Sequence, residues 1–199
     1  DGGRGGWGRS DRDRGGGLWA APPPSPPALA AALQAADLLP AIVFVFSRAG
    51  CDAVAADVAS SRVLHPLPPD SVAAIDAALA ALTIDAPDSA RPELIPALRA
   101  GVAVHHAGCL PGWKSLVERL FQAGHVRVVA ATETLAAGVN MPARTTVLTA
   151  LVRRKGPAGP MPLTHNELLQ MAGRAGRRGF DAAGAVVVCG GRDAGPADL

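Results

Sequence analysis

Three arginines and three glycines crowd into the seven residues Gly173-Arg174-Ala175-Gly176-Arg177-Arg178-Gly179, and Gln170 stands just before them. The apolar spacing upstream predicts a helix from about Thr164 that carries this cluster at its end. Arg174 and Arg177 are three residues apart, so on a helix they would share a face. Interleaved glycine weakens a helix and clears room beside it. Stability gains little from such a segment. Two guanidinium forks side by side do suit the oxygens of a polyphosphate.

Three other segments have residue types that could act on a ligand. Thr132 and Thr134 end an apolar run and open a short helix, with Gly138 and Asn140 following. Gly138 permits a close approach by a ligand, and Asn140 offers both a donor and an acceptor. His105 and His106 are adjacent, ahead of Gly108 and Pro111. Adjacent side chains in extended chain point to opposite sides, so the two histidines do not share a metal. This segment is either a polar turn touching a nucleic-acid backbone or a structured turn alone. Ser47 and Arg48 follow the apolar run 41–46. They are either a helix cap with a surface arginine or a phosphate contact at a helix N-terminus.

Strands and helices must position these segments. The run Ala41–Phe46 is short and continuously apolar, and Val102–His105, Val126–Ala130, Thr145–Leu151 and Ala185–Val188 read as further short strands. Such runs suit strands buried on both faces. Helical spacing covers Ala28–Leu39, Arg48–Ser60, Val72–Leu82, Glu93–Ala100 and Trp113–Gln122. The alternation predicts an α/β fold, a parallel sheet with helices on both faces. Ligands then bind beyond the carboxyl ends of the strands.

The chain has 199 residues, enough for one domain with a real core. No apolar run approaches the roughly 20 residues of a membrane-spanning helix, so no membrane partner is expected. Aromatics are 4% with no Tyr, which excludes a surface built on many stacking rings. The three cysteines form no C-x-x-C pair, which argues against a disulfide framework or a cysteine zinc site. No metal ligands are expected in this chain. Net charge is +2 overall but −4 across residues 31–100 and +7 across 101–180. Positive charge gathered in one stretch fits a phosphate-bearing partner. Residues 1–27 are Gly/Arg- and Pro-rich and predict a disordered segment, either a flexible linker or an RNA-contacting tail. Gly3-Arg4-Gly5-Gly6-Trp7-Gly8 matches G-x-G-x-x-G, but no strand precedes it, so it is no dinucleotide fingerprint. Residues 28–199 predict one domain with a variable insertion at about 61–92. The chain begins at Asp1, not Met, so a fragment or processed product is expected.

The ordered segments resemble a known family. Gln170-Met171-Ala172-Gly173-Arg174-Ala175-Gly176-Arg177-Arg178-Gly179 resembles motif VI of the superkiller-type (Ski-two-like) DExH-box RNA helicases of superfamily two. Ala131-Thr132-Glu133-Thr134 through Gly138-Val139-Asn140-Met141-Pro142-Ala143 resembles their motif V. His105-His106-Ala107-Gly108-Cys109-Leu110-Pro111 is similar to another family element, and Phe46-Ser47-Arg48-Ala49-Gly50-Cys51-Asp52 to motif IV of the bacterial and plastid branch. The likeness covers about residues 38–192 in order and spacing.

The resemblance implies the second RecA-like domain, the helicase C-terminal domain, of an enzyme that hydrolyses ATP and moves along single-stranded RNA. It assigns Arg177 as the arginine finger, Arg174 as a second γ-phosphate contact and Gln170 as the sensor of that phosphate or the attacking water. Gly138, Asn140 and Gly173 face the nucleotide. Ser47, Arg48, His106, Gly108 and Thr132 touch the RNA backbone. The first RecA-like domain would supply the phosphate loop and hold Mg²⁺. Neither G-x-x-x-x-G-K-[ST] nor D-E-x-H occurs in this chain, so it is expected to be inactive alone. That first domain and single-stranded RNA are the implied partners, with an RNA-processing or decay complex beyond them. The implied location is intracellular, with the chloroplast favoured and the nucleus or cytoplasm as alternatives. The other readings are a DNA helicase of the related repair branch and a non-catalytic nucleic-acid-binding module.

Overall fold

A computed structural model describes residues 23–136, 138–154 and 160–189. Most of the expected disordered segment, residues 1–22, lies outside these. The first helix, α1 (Pro26–Ala35), starts inside the stretch expected to be unfolded. Ser25 caps it by accepting from the Ala28 N–H, and Pro26 and Pro27 occupy first-turn positions where a missing N–H costs nothing.

Short, mostly apolar four-residue runs make the sheet. β1 (Ala41–Phe44), β2 (Val102–His105), β3 (Val128–Ala131) and β4 (Thr145–Leu148) are buried along their whole lengths. β7 (Ala185–Val188) is an edge strand and half-exposed. All five pair in parallel in the order β2-β3-β1-β4-β7. The expected fold is present. Between β1 and β2 run α2 (Arg48–Ser61), α3 (Pro69–Asp85) and α4 (Ile95–Arg99); α5 (Pro111–Gln122) joins β2 to β3, and α6 (His165–Ala172) precedes β7. Right-handed crossovers, the rule for parallel strands, put α2 and α4 on one face and α5 and α6 on the other.

Helical periodicity explains the core. α5 buries Trp113, Leu116, Val117, Leu120 and Phe121, an i, i+3, i+4 stripe, and the Trp113 Nε1–H donates to the Val104 carbonyl at 3.2 Å. The segment 61–92, expected as a variable insertion, carries α3, whose Ile75, Leu79 and Leu82 are buried in the same core.

Two local differences bear on the site. The fourth strand stops at Leu148, and an antiparallel pair follows, β5 (Val152–Arg154) with β6 (Pro160–Pro162). Prolines at 160 and 162 conceal this pair in the sequence, since proline cannot donate to a ladder. The last helix ends at Ala172, before the arginine cluster. Its N-terminus is set by a capping box between Thr164 and Glu167.

Candidate nucleic-acid and nucleotide interface

Ser47, Arg48, His106, Gly108 and Thr132 all follow carboxyl ends of three neighbouring strands, β1, β2 and β3. The parallel register brings them together although they are far apart in sequence. Arg48 and Gly108 are exposed and in contact: a Cβ on Gly108 would sit 3.3 Å from the Arg48 Cδ. Ser47 is exposed, and its Oγ already accepts from the Gly50 N–H at 3.0 Å as the α2 cap. Thr132 is buried, its hydroxyl 2.9 Å from that of Thr134. A 3-10 turn at 133–135 follows it, with no side-chain cap.

His106 departs from its expected role. Its side chain is only 3% exposed, too buried to meet a strand of RNA directly. The Gly108 N–H donates to Nδ1 at 3.0 Å, so that nitrogen carries the lone pair. The proton therefore sits on Nε2, 3.2 Å from Asp52 Oδ1. Asp52 is held in turn by Arg91, whose Nη2 lies 3.1 Å from Oδ2 and whose Nη1 reaches the Cys109 sulfur at 3.5 Å. His106 thus shapes the turn that displays Gly108. His105 faces the other way, as adjacent residues in a strand should, with Nε2 2.8 Å from Glu118 Oε1. Burial pushes the His105 imidazole below its ordinary pKa, and Glu118 offsets this only in part.

The arginine cluster lies at the opposite end of the sheet. Ala143, just ahead of β4, donates to the Arg174 carbonyl at 2.9 Å and accepts from the Gly176 N–H at 2.7 Å. The segment is therefore pinned near the amino ends of β4 and β7, about 13 Å of strand away from the Arg48 end. Ligand chemistry was expected only beyond the carboxyl ends. The structure divides it, because the fourth segment precedes its strand instead of following one.

Arg174 and Arg177 do not share a helical face. Gly176 and Gly179 have φ of +92° and +83°, which a continuing helix forbids. Arg174 turns inward. Its Nη1 donates to the Val139 carbonyl at 2.6 Å and its Nη2 to that of Ala136. It braces the crossover from β3 to β4 and is not a second free fork. Arg177 is half-buried and lines a cleft of about 660 Å³ with Phe121, Gln122, Asn140, Arg178 and Phe180. Gln122 Nε2 donates to the Asn140 carbonyl at 2.8 Å, which holds that loop. Gly138 is exposed with open space around it. Gln170 lies exposed on α6, and Gly173 is that helix's C-cap.

Three residues that hold the site side chains were not singled out as candidates in the sequence. Asp181 grips Arg177 with both carboxylate oxygens, and those hydrogen bonds hold its pKa down at about 2. Asp52 and Arg91 lie 39 residues apart and meet only through the fold. Asp181 alone left a signal, an acid four residues after an arginine.

The donors fit the anionic end of a nucleoside triphosphate. They do not fit its metal: among the described residues no group of three His, Cys, Asp or Glu could hold an ion. Residues 89–179 match the helicase conserved C-terminal domain. The chain belongs to the Ski-two-like DExH helicases, as their C-terminal helicase domain. It is 49% identical over 156 residues to the DExH-box ATP-dependent RNA helicase DExH15 chloroplastic of Arabidopsis thaliana, covering 78% of this chain and 13% of that protein. It is 47% identical over 171 residues to the probable helicase HelY of Mycobacterium tuberculosis, covering 83% and 19%. It is 41% identical over 176 residues to the superkiller complex protein 2 of Mus musculus, covering 86% and 14%. The chain therefore spans less than a fifth of the length of these relatives. Among the described residues no helix is long and apolar enough to cross a membrane.

Proposed function

We propose that this chain is the second motor domain of an ATP-dependent RNA helicase. Its Arg177 end meets the triphosphate held by a first RecA-like domain of the same protein, and its Arg48–Gly108 end grips single-stranded RNA. The observation that carries this reading is the division of the motif residues between two ends of one short sheet. The crossover 132–143 runs from Thr132 at one end to Ala143 at the other, and Arg174 braces it midway. One domain can so touch two ligands at once.

In this reading Arg177 stabilises charge on the transferring phosphoryl group, with Gln170, Gly138, Asn140 and Gly173 around the nucleotide. Mg²⁺ is held by the first domain, so the isolated chain hydrolyses no ATP. Contacts to the sugar–phosphate backbone read no sequence, so in this reading recognition is of backbone and strandedness. An RNA-decay assembly and a plastid location extend the reading. The printed names support only a complex for the mouse relative and a chloroplast for the Arabidopsis one.

The test is Arg177→Ala in the full-length enzyme. Loss of an arginine finger costs about 10³–10⁵ in kcat, or about 4–7 kcal/mol of transition-state stabilisation. RNA affinity without nucleotide should stay nearly unchanged. Arg178 lines the same cleft without an ion-pair partner among the described residues, and Arg178→Ala should cost no more than about tenfold. Arg177→Ala with more than a tenth of the wild-type rate refutes the assignment.

A further inference from the structure

Asp181 spends three acceptor contacts on one residue. Its Oδ2 takes the Arg177 backbone N–H at 2.9 Å and the Nε–H at 2.9 Å, and its Oδ1 takes the Nη2–H at 2.8 Å. The carboxylate side chain is 4% exposed, so water competes weakly for these bonds. The backbone beneath is fixed separately. Gly176 and Ala143 are hydrogen-bonded, and Gly184 packs so tightly that a Cβ there would lie 2.4 Å from the Ala175 carbonyl carbon. The Phe180 ring lies 5.6 Å from the Arg177 guanidinium carbon. A long flexible side chain is thereby gripped along its Nε–Nη2 edge and flanked by an aromatic ring. Its Nη1 has no partner among the described residues, and Arg177 lines the cleft.

We propose that Asp181 is the positioning residue for Arg177: it holds the guanidinium so that the Nη1 edge is already aimed at a triphosphate oxygen in the cleft. The proposal rests on Arg177 being the phosphate-contacting arginine, as argued under Proposed function. Asp181 does not touch the reacting atoms. Its contribution is preorganisation, since a donor aligned before the reaction needs no rearrangement during it. Asp181 is not an inhibitory latch in this account. A latch would have to release the guanidinium before catalysis, and its removal would raise the rate.

The experiment uses the full-length helicase with saturating RNA and compares Asp181→Asn, Asp181→Glu, Arg177→Ala and the Arg177→Ala/Asp181→Asn pair. Asp181→Asn keeps the size of the side chain and one acceptor oxygen while removing the charge. It should lower kcat by about ten- to a hundredfold, the range for a misaligned catalytic group, with KM for ATP and RNA affinity within about threefold. Asp181→Glu, which restores the charge, should recover part of the loss even if the Asn variant folds poorly. In the Arg177→Ala background, Asp181→Asn should cost less than about twofold, because the group it positions is gone. A wild-type or raised kcat for Asp181→Asn overturns the proposal. So do an equal loss in both backgrounds and an Asp181→Glu variant no better than Asp181→Asn. If Arg177→Ala itself keeps its ATPase, the underlying reading of Arg177 fails. If Arg177→Ala is dead while Asp181→Asn is fully active, the finger stands and only the positioning role falls.

Discussion

Replacing His106 separates a structural hub from a direct RNA contact. The ring is 3% exposed, accepts the Gly108 N–H at 3.0 Å and donates to Asp52 at 3.2 Å. His106→Ala would remove the ring, leave the Gly108 N–H without its acceptor, and leave Asp52 with Arg91 alone. Truncating a large buried side chain costs about 2–4 kcal/mol, and a stranded polar partner about 1 kcal/mol more. The sum is about 3–5 kcal/mol. Domains of this size lose about 2–4 °C of Tm per kcal/mol, so the melting point should fall by roughly 6–20 °C. His106→Phe refills the volume without restoring the hydrogen bonds, so it should cost about half as much. Both variants are to be melted by circular dichroism, with RNA affinity measured by fluorescence anisotropy well below the transition. At that temperature affinity should fall less than about tenfold, because Arg48 and Lys114 remain. A Tm within about 2 °C of wild type together with a larger loss of affinity would refute the hub and restore His106 as a backbone contact.

Gly184→Ala should destabilise by more than about 2 kcal/mol, because its Cβ would meet backbone atoms of Ala175 and Gly176 at 2.4–2.6 Å, and backbone cannot swing aside; denaturant melts measure it. His105 has a folded pKa below its ordinary 6.5, so its contribution to stability is fully present above pH 6.5 and is lost as pH falls from there through the folded value. The wild-type Tm should drop more steeply than that of His105→Gln between pH 6.5 and 5, and parallel curves would contradict the buried neutral ring. RNA binding by the isolated chain should be weakly salt-dependent. Arg48 and Lys114 are the cations without an ion-pair partner nearest the carboxyl ends among the described residues, so two neutralised phosphates give a log–log slope of about −1.4. A slope steeper than −3 would mean that the grip extends well beyond these two residues.

Features that depend on neighbours in sequence were legible, and features that depend on partners across the fold were not. Val102–His105 and Ala185–Val188 are strands at their expected boundaries, because short β-branched, mostly apolar runs bounded by turns leave a parallel chain few other choices. Ser47 caps α2 for the same local reason. The inward turn of Arg174 was hidden, because three glycines let the chain leave the helix and only the Ala136 and Val139 carbonyls decide where the guanidinium goes. The burial of His106 was hidden too, since Asp52 stands 54 residues away from it. Much of the charge concentrated in 101–180 turned out to be committed. Arg144 pairs with Asp37, Arg153 with Glu167, and Arg177 with Asp181. A charge count therefore overstates what a phosphate backbone can meet. The pairing acids decide which edge of a guanidinium is left to act: Asp181 takes the Nε–Nη2 edge of Arg177 and leaves Nη1.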